Sequence, residues 1–392
     1  MAASTPSLAT EMADPQQAPE KAMSSPEDPP DGGYGWVCVA CTFFINMHTW
    51  GLNSSYGVFL AYYLAHDYYP HSSPLQFAFI GGLSISQALL VSPLATYTTR
   101  EYGTRCTLLI GVVLETLALI GASFTHRMWQ LFLTQGLCFG YGMGFLFVGS
   151  VGIIPQWFTK RRSLANGIST AGSGIGGLAY SLATNAMIES VGVGWAFRIL
   201  GLISFVVNFI CSILMRDRNK AIQAKQLAFD HKLFKRLEYW LVIGWGFFSM
   251  LGYVVLLFSL PNFAVSIGLS AKQGSEIGAL LNLGQALGRP AVGVFSDAAG
   301  RINLAGLCTF IAGFLSLVMW TFAKTYGVVV FFAILVGTVS GTFWTAVAPV
   351  GAEVVGLRDL PSALAALWLF LVLPTTCMSS MIIDMRTELT EL

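Results

Sequence analysis

Residues 154–167 read Ile154-Pro155-Gln156-Trp157-Phe158-Thr159-Lys160-Arg161-Arg162-Ser163-Leu164-Ala165-Asn166-Gly167 and separate two long apolar runs, at 131–153 and 168–187. Three adjacent cations cannot lie in hydrocarbon, so this basic loop marks a membrane surface. It also marks which surface, because an excess of Lys and Arg stays on the cytoplasmic side. The rest of the topology can be counted from this loop in both directions.

The composition is typical of an integral membrane protein. Of the 392 residues, 55% are hydrophobic and only 10% are charged, whereas a soluble domain carries about 25% charged residues. An apolar run of about 20 residues is long enough to cross a bilayer as a helix. The chain holds eleven such runs, which predicts an all-α membrane protein with helices at roughly 35–64, 75–98, 105–124, 129–154, 164–187, 193–215, 239–264, 272–297, 302–323, 326–350 and 360–376.

Lys and Arg are distributed unevenly over the loops between these runs. With the amino terminus inside, the cytoplasmic loops hold 14 of them and the outer loops hold three, Arg127, Lys272 and Lys324. This bias predicts a cytoplasmic amino terminus. Residues 1–30, rich in Pro, Ala, Ser and acidic side chains, are then expected to form a disordered cytoplasmic tail. Residues 216–237 are either a basic cytoplasmic linker or a segment that also binds anionic lipid.

Two motifs resemble one known family. The basic loop fits the pattern aromatic-Phe-x-Lys-Arg-Arg-x-Leu-Ala-x-Gly, and Pro30 precedes a second motif formed by Asp31, Gly32, Gly33, Tyr34, Gly35 and Trp36. Together they resemble the monocarboxylate-transporter family of the major facilitator superfamily, in its fungal branch of riboflavin carriers and orphan homologues. The resemblance covers roughly residues 29–376. It implies a major-facilitator-type helical bundle that moves a small organic solute across a membrane by alternating access.

The chain also repeats itself. The second apolar run contains Ile80-Gly81-Gly82-Leu83 and then Gln87-Ala88-Leu89, and the eighth contains Ile277-Gly278-Ala279-Leu280 and then Gln285-Ala286-Leu287. Such a repeat is expected when two six-helix halves are related by an axis along the membrane normal. The domains predicted from it are an amino-terminal half at 31–215 and a carboxy-terminal half at 238–376.

The carboxy-terminal half differs from the family pattern. Residues 377–392 are too short and too polar to span a membrane, so we expect a polar tail there and a bundle of six plus five helices, with the twelfth missing or truncated. Asp297 and Arg301, at the end of the eighth run, resemble the major-facilitator loop motif, in which an Asp and an Arg latch the cytoplasmic side. We expect the cytoplasmic gate to contain them together with the three cations of the basic loop, Lys160, Arg161 and Arg162.

Arg289 is the strongest candidate for a transport site. It lies about halfway along the eighth apolar run, between Gly288 and Pro290. A guanidinium at this depth keeps its proton and needs an anion, which is a carboxylate either of the protein or of the substrate. The resemblance implies the second, because the family's helix-eight Arg is associated with binding the substrate carboxylate.

Three positions that are charged in the lactate-type proton symporters of the family are neutral here. Gln285 stands where those members carry an Asp, and Ser54 and Gln156 stand where they carry a Lys. Gln neither takes up nor releases a proton near neutral pH, so that route to proton coupling is absent. These differences favour a larger, more polar or weakly anionic solute, riboflavin-like by resemblance, and leave facilitative and proton-coupled transport both open.

Other polar side chains in the apolar runs are candidates because their burial is unfavourable unless they are paired or lie on a wet path. Glu115 either pairs with Arg289, carries a proton, or faces another helix as a protonated structural residue. His48 either titrates or is a satisfied hydrogen-bond partner. Phe343 and Trp344 could stack on a flat ring. The substrate-binding candidates are Arg289, Gln285, Asn282, Asn53, Ser54 and Trp344.

The sequence contains no His cluster, paired carboxylates or nucleophile elbow. We therefore expect no enzyme activity, no catalytic or metal site and no cofactor. The expected partners are a small organic solute and the lipid bilayer, not nucleic acid, and the resemblance leaves an accessory single-span protein open. The plasma membrane is the expected location, with vacuolar or other internal membranes as alternatives. The competing hypothesis is a non-transporting membrane receptor or scaffold, or an inactive truncated isoform of a carrier.

Overall fold

The computed structural model describes residues 29–70 and 72–391, and every regular element in that part of the chain is helical. The tail expected at residues 1–30 lies outside the described residues except for Pro29 and Pro30.

We number the helices by the apolar run that each contains. Three of them are irregular: α1 passes through a π-helical turn at Met47–Gly51, α2 bends by 40° near Val91, and the long helix Arg162–Leu214 breaks at Gly192 into α5 and α6. The bounds are α1 35–65, α2 74–102, α3 Thr104–Ala122, α4 Met128–Trp157, α5 162–191, α6 193–214, α7 Leu237–Ser266, α8 Ala271–Ala299, α9 Arg301–Trp320, α10 Tyr326–Val355 and α11 Leu360–Glu391.

By length and hydropathy alone, six helices in the described ranges could cross a membrane, and seven if the two parts of α2 count as one. One of the six is Arg162–Leu214, which holds both α5 and α6. The π turn of α1 divides it into shorter helices, and α11 is apolar only over Leu360–Thr376. The backbone of α11 continues past this apolar part, through the residues expected as a polar tail, as far as Glu391.

Helices α2 and α8 begin and end in the same way. Each starts with a capping box, in which Ser73 or Ser270 exchanges hydrogen bonds with the glutamine three residues later. Each is followed by a glycine with positive φ, Gly103 at 86° and Gly300 at 96°, a conformation that glycine adopts without strain. The repeat found in the sequence is therefore also a repeat of helix boundaries.

The first six helices are closed by contacts between their two ends. The Tyr34 hydroxyl donates to the Leu214 carbonyl at 2.6 Å, and the Arg216 guanidinium lies over the Tyr34 ring, 4.2 Å from its centroid. Trp157 Nε1 donates to the Arg216 carbonyl at 3.0 Å. These contacts join the start of α1 to the end of α6 and to the end of α4.

The first half (α1–α6) meets the second half (α7–α11) along two seams. In the first seam, α5 packs directly on the backbone of α8: a Cβ on Gly167 would fall on the carbonyl of Arg289, and one on Gly174 would also meet α8. In the second seam, α2 packs against α11, and the Ser92 hydroxyl donates to the Ala365 carbonyl at 2.9 Å. The space between the two seams holds the candidate site.

Candidate functional site

A cavity lies between the two halves, with walls from α1, α2, α4 and α5 on one side and α7, α8 and α10 on the other. In this conformation it is narrow, because the centres of water molecules can occupy only about 40 Å³ of it, which is room for roughly three waters. A larger solute can enter only if the walls separate. The lining includes all six residues expected from the sequence at a substrate site, Arg289, Gln285, Asn282, Asn53, Ser54 and Trp344.

Arg289 is buried, with 4% of its surface exposed, and reaches from α8 to α5. Its Nη1 donates to the Thr170 carbonyl at 2.6 Å and to the Ser173 hydroxyl, and its Nη2 donates to Gln285 Oε1 at 2.6 Å. The same Gln285 oxygen accepts from the Tyr253 hydroxyl at 3.0 Å. All of the groups that accept from Arg289 are therefore neutral.

Arg289 has no acidic partner within the described ranges. Among the residues that the structure describes, no Asp or Glu lines the cavity. A buried cation without a counter-charge is strongly unfavourable in a medium of low dielectric, so the site favours an incoming anion. The ion pairs that the described part of the chain contains are Arg100–Glu101, Lys225–Asp359, Arg301–Asp297 and Arg301–Glu353.

The two motifs that carry the family resemblance meet at one end of the bundle, which we call the basic end because it holds residues 158–162. Asp31 Oδ1 accepts from the backbone N–H groups of Thr159 at 2.6 Å and Lys160 at 2.8 Å. The N–H of Asp31 donates in turn to the Trp157 carbonyl at 2.9 Å. Asp31 thus fixes the conformation of the basic loop.

A set of contacts between the halves, which we call the latch, closes the basic end. Asp297 caps the start of α5, where its two carboxylate oxygens accept from the N–H groups of Ser163 at 3.0 Å and Leu164 at 2.9 Å. Arg301 forms an ion pair with Asp297 at 3.2 Å and donates to the Thr159 carbonyl at 2.6 Å. Asp297 and Arg301 belong to the second half and their partners 159–164 to the first, so these contacts hold the halves together at this end.

The three cations of the basic loop differ in their surroundings. Arg162 is buried, and its Nε donates to the Phe158 carbonyl at 2.8 Å. Lys160 and Arg161 are exposed. The side chains of Lys160 and Arg161 are not part of the latch described above. From the sequence, we expected all three cations in the cytoplasmic gate together with Asp297 and Arg301.

The chain matches the family model described as the Major Facilitator Superfamily over residues 39–374. The chain belongs to the major facilitator superfamily. "Probable transporter MCH2" of Saccharomyces cerevisiae is 35% identical over 347 residues, which are 87% of this chain and 73% of that protein. "Uncharacterized transporter ESBP6" of the same yeast is 37% identical over 333 residues, which are 82% of this chain but only 50% of that protein.

The fold is also similar to a solved structure of this superfamily. The proton:xylose symporter XylE, bound to 6-bromo-6-deoxy-D-glucose, superposes with a TM-score of 0.68 at 15% identity, covering 91% of this chain and 89% of that chain. Family membership and transporter relatives make the chain a multi-pass integral membrane protein and a secondary transporter of small solutes, not an enzyme. The expectation of an all-α major-facilitator bundle is confirmed.

The two candidate proton carriers of the chain, His48 and Glu115, are not on the described lining of the cavity. His48 Nδ1 donates to the Phe44 carbonyl at 2.8 Å, and its ring packs edge-on against Tyr180 at 5.6 Å. These contacts favour the alternative in which His48 is a satisfied hydrogen-bond partner, which stays a prediction. Glu115, 1% exposed, does not pair with Arg289; its Oε2 accepts from Asn208 Nδ2 of α6 at 2.8 Å.

The pair formed by Glu115 and Asn208 contains two buried acceptors without a partner, Glu115 Oε1 and Asn208 Oδ1. A protonated Glu115 would supply a donor to this pair, whereas a carboxylate would not. We therefore expect Glu115→Gln, which keeps a donor, to melt near the unmodified protein, and Glu115→Ala to lose about 1–3 kcal/mol by leaving buried groups unpaired. Thermal melting of the purified chain checks this. Equal destabilisation by Gln and Ala would show that Glu115 is needed as a carboxylate.

The cavity also contains residues that sequence reasoning missed. Trp50 lies on the lining, and its position was predictable because 46, 50, 53 and 54 share one face of a helix. Thr170 and Ser173 were not predictable in this way, since a hydroxyl residue on a glycine-rich helix is typical of packing. Phe343, expected with Trp344 to stack on a flat ring, is not on the described lining; its ring packs between Trp245 at 5.1 Å and Trp344 at 5.5 Å.

Gln156 stands where the lactate-type members of the family carry a Lys. It lies outside the cavity and holds the segment between the two halves in place. Its Nε2 donates to Asn219 Oδ1 at 2.9 Å, and its Oε1 accepts from the Arg218 N–H at 2.7 Å. In this chain the position therefore orders the start of the linker rather than the cavity wall.

Proposed function

We propose that this transporter binds an organic solute through an anionic, acceptor-rich group at Arg289 and carries it across a membrane by alternating access. The observation that carries the proposal is a buried guanidinium on the cavity wall whose described partners are all neutral. A bound carboxylate would supply the missing counter-charge. Because Arg289 of the second half already bonds to α5 of the first, such a ligand acts where the halves must separate and close.

Within the superfamily, we propose that the chain belongs to the fungal branch of the monocarboxylate-transporter family. It is supported by the two motifs named above and by the hydrogen bonds that Asp31 of one motif accepts from the backbone of the other. We propose further that the two halves, 31–215 and 238–376, act as the two moving bodies, with residues 216–237 as their linker.

The basic end is proposed to face the cytoplasm of a plasma-membrane carrier with a cytoplasmic amino terminus. The support is the excess of Lys and Arg at that end, which is retained on the cytoplasmic side of membranes. With this orientation, the latch closes the cytoplasmic side in the present conformation. A bound solute can then leave towards the cytoplasm only after the latch has opened.

We propose that transport is facilitative. Gln285 replaces the titratable residue of proton-coupled relatives, and it interacts directly with Arg289 through a neutral amide oxygen at 2.6 Å. Glu115 and His48 do not line the cavity, so neither is placed to exchange a proton with bound solute. A larger carboxylate is favoured over lactate for the same reason, since the lactate-type charged positions are neutral. Riboflavin, the candidate by resemblance, is uncharged near neutral pH and supplies no counter-charge to Arg289.

The test is radiolabelled uptake in a transporter-deficient yeast, with benzoate and lactate compared at two external pH values. Saturable benzoate flux that is insensitive to a protonophore is the expected result. Lactate flux that rises with acidity would instead show that another group carries the proton. A non-transporting receptor would give no saturable flux with either solute.

Arg289→Gln is expected to lower the saturable flux by about 10- to 100-fold, the range for losing hydrogen bonds to a charged group. The matched control is Arg198→Gln, which removes another helical arginine. Arg198 lies off the cavity, where it donates to Ser123 Oγ at 3.1 Å and stacks over Phe124 and Trp195. Flux is normalised to the amount at the cell surface. Equal losses of flux in Arg289→Gln and Arg198→Gln would show that Arg289 does not bind the solute.

A further inference from the structure

Three polar atoms on the cavity lining are buried without a hydrogen-bond partner, and all three are N–H donors. They are Nε of Arg289, Nε2 of Gln285 and Nε1 of Trp50. The orientation of the Gln285 amide follows from its contacts, because its oxygen already accepts from Arg289 and Tyr253. Elsewhere in the described residues, unpaired buried atoms include acceptors as well as donors. On the described lining, the buried atoms without a partner are thus all donors, and acceptors on a ligand would pair with them.

The same wall contains aromatic rings that meet across the two halves. Trp50 of α1 and Trp344 of α10 have centroids 5.0 Å apart and planes tilted by 49°. Phe147 of α4 packs edge-on against both. Tyr253 packs against Trp344 at 6.3 Å and also donates to Gln285. The aromatic wall therefore adjoins the unpaired donors, and one ligand can touch both.

We propose that the substrate is a planar ring with an acidic group attached directly to it, such as an aromatic or heteroaromatic carboxylate. Its anionic oxygens accept from Arg289 and Gln285, and its ring stacks at the Trp50–Trp344 contact. This inference rests on the proposed function and specifies the solute that the same site takes. The cavity has room for only about three waters in this conformation, so entry of the ring parts Trp50 from Trp344, and with them the two halves.

Other classes of solute satisfy only part of this wall. A small hydroxy acid supplies the charge for Arg289 but leaves the tryptophan contact unchanged. A neutral ring can stack on Trp344 but gives Arg289 no counter-charge. A saturated ring with a carboxylate supplies charge and apolar volume without a flat face, which makes it the matched control for planarity.

The test is isothermal titration calorimetry on the purified full chain with benzoate, cyclohexanecarboxylate, benzamide and lactate. We expect benzoate to bind roughly three- to tenfold more tightly than cyclohexanecarboxylate, the range that aromatic contacts give, and benzamide and lactate to bind more weakly than either. Trp344→Leu should remove the preference for benzoate, whereas Trp344→Phe should keep most of it. Trp129→Leu, at an exposed tryptophan far along α4 from the lining, is the control.

The outcomes separate this inference from the proposed function. Carboxylates that bind with equal affinity whatever the ring, and lose binding in Arg289→Gln, overturn the planar-ring inference and leave the anion site intact. Failure of every carboxylate to bind overturns both. If thermal melting shows that Trp344→Leu does not fold, the comparison of benzoate with cyclohexanecarboxylate on the unmodified chain still decides the question.

Discussion

Gly167→Val is expected to abolish transport while the chain still reaches the membrane. Gly167 lets α5 lie directly on α8, where a Cβ would fall on the carbonyl of Arg289. Backbone atoms cannot move aside as a flexible side chain can, so the seam must open, at a cost of about 1–3 kcal/mol or more. Opening it also displaces Arg289 from α5. The measurement is saturable flux normalised to surface amount, with thermal melting of the purified protein.

The control for this variant is Gly313→Val in α9. A Cβ there meets no atom within 4 Å, so the same replacement of a helical glycine by valine occurs without a clash. Gly313→Val should keep both flux and melting temperature. If Gly167→Val transported at the rate of the unmodified chain, the close contact between α5 and α8 would not belong to the transport cycle.

Asp297→Ala is expected to shift the carrier strongly towards the state that is open at the basic end. The substitution leaves two N–H groups at the start of α5 without an acceptor and Arg301 without its partner on α8. Since the pair is only 12% and 11% exposed, the loss is about 2–3 kcal/mol, which shifts the balance of the two states by about 30- to 150-fold. Labelling of Ile85→Cys on the cavity wall, in inside-out vesicles, measures that opening.

The control is Glu101→Ala, which breaks an ion pair with Arg100 whose two side chains are both 43% exposed. Exposed pairs contribute at most about 1 kcal/mol, so labelling should hardly change. Unchanged labelling in Asp297→Ala would show that the latch does not limit opening at this end. Combining Asp297→Ala with Arg301→Ala should shift the balance by less than the sum of the two single changes, because each of them already removes the ion pair between the two residues.

The positions of the helices and the polar face of α8 were predictable from the sequence. Asn282, Gln285 and Arg289 are spaced to share a face, and a membrane leaves few other places for such residues. Arg289's partners were not predictable to the same degree, because one is the main-chain carbonyl of Thr170, and a carbonyl has no signature in the sequence. The same holds for the latch, where Asp297 binds two backbone N–H groups. The partner of Glu115 was also missed, since pairing it with Asn208 depends on how α3 and α6 rotate against each other.

The contacts that close the first half join the start of α1 to residues that are synthesised much later. Tyr34, at the start of α1, obtains its hydrogen-bond acceptor from Leu214 and its stacked guanidinium from Arg216. During synthesis these partners leave the ribosome about 180 residues after Tyr34. The first helix therefore waits in the membrane without these contacts at its start until α6 is complete. At that point the first half becomes a finished unit, before α7 has left the ribosome.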